Sequence, residues 1–114
     1  MKTRIIVAIL IACVVLAVWA MVQNRMTVMN NTGTKVQKVV ITVCDRTYEF
    51  ADIPDGKSQT RNFSIAHDGH FHVVALLPDG TTLTDDFGYV TGGMYSEVAN
   101  IEITKGRQII GKQE

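Results

Sequence analysis

Only two cysteines occur in the 114 residues, and one of them, Cys13, lies inside a long apolar run. Cys44 is left alone, so no internal disulfide can staple the part of the chain beyond that run, and its stability must come from a packed core. Net charge is lacking too. The formal balance is zero, and with Lys2 and Arg4 set aside nine lysines and arginines face eleven aspartates and glutamates. A chain without a basic patch has nothing to grip a phosphate backbone, so no nucleic acid partner is expected. Also missing are a Ser/His/Asp pattern, a paired-carboxylate motif, a phosphate-cradling glycine loop and a dinucleotide fingerprint. The chain is therefore expected not to be an enzyme.

What the sequence has in abundance comes first. Residues 5–22 read IIVAILIACVVLAVWAMV, eighteen residues without a charge, an amide, a glycine or a proline. As a helix this run would reach about 27 Å, close to the hydrocarbon thickness of a bilayer. It has no polar face such as a soluble helix would show. Trp19 stands near its outer end, where an indole favours the headgroup region. Lys2 and Arg4 precede the run, so the positive-inside rule puts the N-terminus in the cytoplasm and the remainder outside it. The expectation is a transmembrane signal anchor in the lipid bilayer of a bacterial inner membrane, crossed once, with a periplasmic or otherwise extracytoplasmic domain. Two other fates fit the same residues. Ala20 offers a small side chain for signal-peptide cleavage, and Leu10-Ile11-Ala12-Cys13 has the form of a lipobox. The expected division is a cytoplasmic N-terminus at 1–4, an anchor at 5–22, a short tether at 23–26, a β-domain at 27–104 and a flexible tail at 105–114. A four-residue tether spans at most about 14 Å, which would hold the domain against the membrane.

Beyond Arg25 the pattern changes to short, β-branched, partly alternating runs separated by turn residues. Strands are expected near 27–30, 36–44, 47–53, 58–67, 70–77, 81–87 and 97–104. Asn30-Asn31-Thr32-Gly33, Asp45-Arg46, Pro54-Asp55-Gly56, Asp68-Gly69 and Pro78-Asp79-Gly80 supply the turns. About seven strands at this spacing predict an all-β, antiparallel, two-sheet sandwich behind one N-terminal transmembrane helix.

Asn30-Asn31-Thr32-Gly33, followed by Phe50-Ala51-Asp52-Ile53-Pro54-Asp55-Gly56-Lys57-Ser58, resembles the immunoglobulin-like exterior domains of small, singly anchored bacterial envelope proteins. The likeness covers about residues 28–104 and rests on turns and strand rhythm. The Cys…Trp…Cys core of antibody domains is absent, because Cys44 stands alone and the single Trp lies in the apolar run. The resemblance implies an immunoglobulin-like sandwich and no activity.

Every histidine falls within His67-Asp68-Gly69-His70-Phe71-His72. If Asp68-Gly69 were a two-residue hairpin loop, His67 would face His70 and Ile65 would face His72, with His70 and His72 on one face. Three neutral imidazoles would then suit a Zn²⁺ or Cu²⁺ ion, with Asp68 near enough to add a carboxylate or orient a ring. The same rings could equally form a surface that titrates near pH 6.5. Cys44 reads as a half-buried strand thiol. The segment Phe87 to Tyr95 mixes glycines with amphipathic side chains, and Tyr89, Met94 and Tyr95 are the candidate partner-binding residues. Taken together, the sequence leads us to expect a membrane-anchored interaction or accessory module with a membrane-adjacent protein partner. The alternative is a metal-binding or metal-delivery protein built on His67, His70 and His72.

Overall fold

In the computed structural model the chain is described over residues 2–21, 23–93 and 96–113, with side chains 19–21 left aside. An N-terminal helix, α1 (Lys2–Met21), precedes eight strands. These are β1 (Asn24–Asn30), β2 (Val36–Val43), β3 (Arg46–Ile53), β4 (Ser58–Phe63), β5 (Gly69–Leu76), β6 (Thr82–Val90), β7 (Val98–Ile103) and β8 (Ile109–Gln113).

The expected membrane anchor does not survive. Among the described residues no helix is long and apolar enough to cross a membrane. The transmembrane and signal-anchor assignment of 5–22 and the single-pass inner-membrane location are corrected by this finding, and the argument from a short tether loses its premise. Trp19 and Val22, which the anchor reading used, lie outside the described side chains.

Two four-stranded sheets follow, in the orders β4-β1-β7-β8 and β3-β2-β5-β6. Alternation explains how they pack. Along β5 the side chains of Phe71, Val73 and Ala75 are buried, whereas His70 and His72 are exposed. Along β1 and β7 the buried set is Met26, Val28, Ala99, Ile101 and Ile103. One face of each sheet thus meets the other in a shared core, as period-two patterning requires. An aromatic chain bridges the layers: Phe63 meets Phe71 edge-on at 5.5 Å, and Phe71 stacks on Phe87 at 4.9 Å.

Three details depart from a seven-stranded, wholly antiparallel sandwich. The segment expected to fray contains β8, hydrogen-bonded to β7 with Ile103 opposite Ile109. Residues 24–26, expected as tether, are the start of β1. Most consequentially, β1 runs parallel to β7, with Arg25 beside Val98 and Asn30 beside Ile103. A parallel pair needs a long crossover, so local turn chemistry could not announce it.

The open seams of the sandwich are closed by side chains. Gln59 Nε2 donates to the Ala51 carbonyl at 3.0 Å and Arg61 Nη1 to the Glu49 carbonyl at 2.7 Å, covering β3 from β4. On the opposite seam Gln113 accepts from the Tyr89 amide at 2.9 Å and donates to its carbonyl at 2.7 Å. Gly111 is required there, because a Cβ at that position would run into the Phe87 ring. Free strand edges invite pairing with other chains, and these bonds blunt them.

Asn30 holds one end of the sandwich. Its side chain is wholly buried, and its Nδ2 donates to the carbonyls of Thr34 at 2.7 Å and Ile53 at 2.9 Å. Its Oδ1 accepts from the Thr32 amide at 2.9 Å and the Thr32 hydroxyl at 2.7 Å. Asp55 accepts from the Gly33 amide at 2.9 Å, so the two turns behind the envelope-domain resemblance clasp each other.

Candidate functional site

The other end of the sandwich carries the candidate site. The β2–β3 hairpin turns on Cys44-Asp45, with Val43 opposite Arg46. Both turn residues have positive φ, 52° and 60°, as a type I′ loop demands. The turn thus falls one residue before the expected Asp45-Arg46. Cys44 is buried, and its thiol donates to the His67 carbonyl at 3.0 Å. That bond ties the hairpin to residues 64–68.

Residues 64–68 do not close a hairpin. β4 ends at Phe63 and pairs with β1, while β5 begins at Gly69 in the other sheet. The segment is a crossover between layers, and His67 and His70 are not cross-strand partners. The neighbours of His72 are Thr42 on one side and Asp86 on the other, rather than Ile65.

The three imidazoles line one open depression of about 300 Å³, together with Cys44, Asp45 and Asp68. They do not surround one point. His67 Nε2 lies 3.1 Å from Asp45 Oδ2, and its Nδ1 lies 2.9 Å from the Asp68 carbonyl. His72 Nδ1 is hydrogen-bonded to Asp86 Oδ1 at 2.6 Å, and His70 Nε2 stands 3.5 Å from the same oxygen. Among the described residues no group of three or more His, Cys, Asp or Glu side chains could hold a metal ion. His70 and His72 do share a face, as alternation predicts, and a carboxylate rather than a third ring stands between them.

Asp68 is the hub of this end. Its Oδ1 accepts from the Gly92 amide at 2.9 Å and its Oδ2 from the Tyr89 hydroxyl at 3.2 Å. A Cβ on Gly92 would come within 3.3 Å of the His67 Cα, so the glycine lets the 91–93 loop lie against the crossover. Tyr89 belongs to the end of β6 rather than to a loop, and it is 59% exposed. Met94 and Tyr95 lie outside the described residues.

Electrostatics follow from these contacts. The negative charge of Asp68, then its hydrogen bond, holds the Tyr89 phenol above its usual range. The Asp68 carbonyl hydrogen bond is the largest influence on His67. Partial desolvation opposes it, the Asp45 carboxylate adds to it, and the net effect raises the imidazole above its ordinary value of 6.5.

Sequence reasoning missed Asp86 and Asp45. A signal for Asp86 was present: a hairpin folded symmetrically about Asp79 in Pro78-Asp79-Gly80 sets position 72 opposite position 86, which is the observed register. Asp45 had no such signal, because its approach to His67 joins a turn to a crossover segment.

No family model matches the chain, and no curated protein does. Among solved structures it is similar to an NMR structure of a protein from Eubacterium rectale, with a TM-score of 0.56 and 16% identity over 79% of this chain and 86% of that one. At that identity the likeness speaks for the fold alone.

Proposed function

We propose that this protein is a non-catalytic interaction module that takes a protein partner at the sandwich end built by the 44–45 turn, the 64–68 crossover and the end of β6. The observation that carries this reading is the Asp68 clasp. It fixes Tyr89 and the 91–93 loop on a scaffold where His67 and His70 also stand exposed. A rigid, amphipathic aromatic held in place by a neighbouring hydrogen bond is what contact surfaces use as an anchor. The rival docking mode, strand addition at an edge, is disfavoured by the side-chain bonds of Gln59, Arg61 and Gln113 that cover β3 and β6. The polar groups at this end bond chiefly to one another across an open depression, which suits contact better than bond-making chemistry.

The test is site-specific photocrosslinking of the full chain in its own cells. A benzophenone amino acid at position 70 gives a discrete adduct, and one at Lys105, at the opposite end, gives none. Tyr89→Ala weakens the adduct about tenfold, as removal of an aromatic anchor does. Equal adducts from both positions, no adduct at 70, or an adduct indifferent to Tyr89→Ala overturn the reading.

A further inference from the structure

The charge state of His67 can be read from its neighbours. A neutral imidazole carries one N–H, so only one of its nitrogens can donate. Both nitrogens of His67 face oxygen acceptors, the Asp68 carbonyl at 2.9 Å and the Asp45 carboxylate at 3.1 Å. A neutral ring would aim a lone pair at one of those oxygens, whereas the imidazolium satisfies both. Moving the single proton from one ring nitrogen to the other does not relieve this, because both partners are acceptors with no proton to give.

The neighbouring groups at this end have bonds of their own to other atoms. The Cys44 thiol gives its proton to the His67 carbonyl, on the backbone side. Both oxygens of the Asp68 carboxylate accept from Gly92 and Tyr89. Across the depression, His70 and His72 share Asp86.

We infer that His67 is a proton-operated latch on the proposed binding end. Protonated, it joins the crossover to the Cys44-Asp45 turn through two charge-assisted bonds. Deprotonated, it keeps at most one of them, and the crossover that carries Asp68 loosens. Because Asp68 holds Tyr89 and Gly92, the change passes from the ring to the exposed tyrosine through three consecutive hydrogen-bonded groups. The raised imidazole value supplies the direction. The added stability is full below about 6.5, where the unfolded ring is also charged, and is lost as pH rises through the folded-state value. The latch therefore opens on going from mildly acidic to neutral or alkaline solution. Its use in partner binding rests on the interaction reading above; its existence does not.

The experiment uses the full chain without any partner. The His67 ring protons are titrated by NMR while amide-exchange protection of Gly92 is followed over the same pH range. A His67 midpoint above 6.5 is expected, with Gly92 protection lost as pH passes that midpoint. Asp45→Asn should lower the midpoint, because the carboxylate charge goes while the turn keeps its size. His67→Gln, which keeps a donor but cannot titrate, should leave Gly92 protection independent of pH. A midpoint at or below 6.5, no change in Gly92 protection across it, or the same pH response in His67→Gln overturns the latch. Repeating the position-70 crosslink at the two pH extremes then tests the coupling to a partner. A failed latch with a persistent adduct, and a working latch with no adduct, are separate outcomes.

Discussion

The two ends of the sandwich solve the same problem with opposite chemistry. At one end a neutral amide, Asn30, is wholly buried and makes four hydrogen bonds, two given and two accepted. Its backbone adds two more, donating to the Lys57 carbonyl at 2.9 Å and accepting from the Gly56 amide at 2.7 Å. At the other end the joins run through exposed His67, Asp45, Asp68 and Tyr89, ionisable side chains all four. A buried, saturated amide is costly to remove, because its partners are left dry and unpaired. Exposed charged joins are worth little each and respond to pH and salt. One end is built to stay shut and the other to be adjustable.

That contrast can be broken first at Asn30. Asn30→Ala orphans the Ile53 carbonyl and the Thr32 amide, while the Thr34 carbonyl keeps the Thr32 hydroxyl, and should cost about 3 kcal/mol, read as a lower urea midpoint with an unchanged slope. A loss under about 1 kcal/mol would erase the distinction between the ends. Gly111→Ala, which belongs to neither end, should cost about 2 kcal/mol by overpacking against Phe87. It sets the scale for a purely steric fault. Smaller still is Asp68→Asn. The fold should persist, with the amide oxygen still accepting from Gly92, while the Tyr89 phenol moves down toward its ordinary value, as ultraviolet titration of the phenolate would show. A Tyr89 phenol that stays raised would mean that another group supplies the effect. The smallest change is expected from Asp45→Asn at alkaline pH, where the latch is already open and the thermal midpoint should not move. A clear fall there would tie Asp45 to the fold rather than to the proton.

Much of this architecture was legible in local sequence. Val36 to Val43 and Phe71 to Ala75 announced strands by β-branched, alternating side chains, and both Pro-Asp-Gly triplets fell where the chain turns. The common face of His70 and His72 followed from the pleat alone. Several features were hidden for definable reasons. Asp68-Gly69 has the composition of a two-residue hairpin loop, while the true tight turn uses Cys44, a residue with little preference for positive φ. Position 111 looked like part of a polar tail because its glycine is explained only by the Phe87 ring across the seam. The apolar run invited a membrane reading on length and composition. The described helix does not satisfy that reading, and periodicity could not distinguish them. Contacts between a turn and a crossover segment, such as Asp45 with His67, obey no sequence spacing at all.

The parallel neighbours β1 and β7 carry a consequence for how the chain assembles. Asn24 and Glu97, joined at the start of that pairing by a 3.0 Å bond, are 73 positions apart. The hairpins β2–β3 and β5–β6 close over a few residues each, so their contacts form early, whereas the centre of the other sheet must await almost the whole chain. During synthesis β1 therefore emerges before every other strand yet must wait for β7, and Met26 and Val28 remain open to water in the interval. In pulse-labelled exchange, amides of β2 and β5 should become protected before those of β1. That ordering makes the opening strand the point most dependent on safe passage through translation.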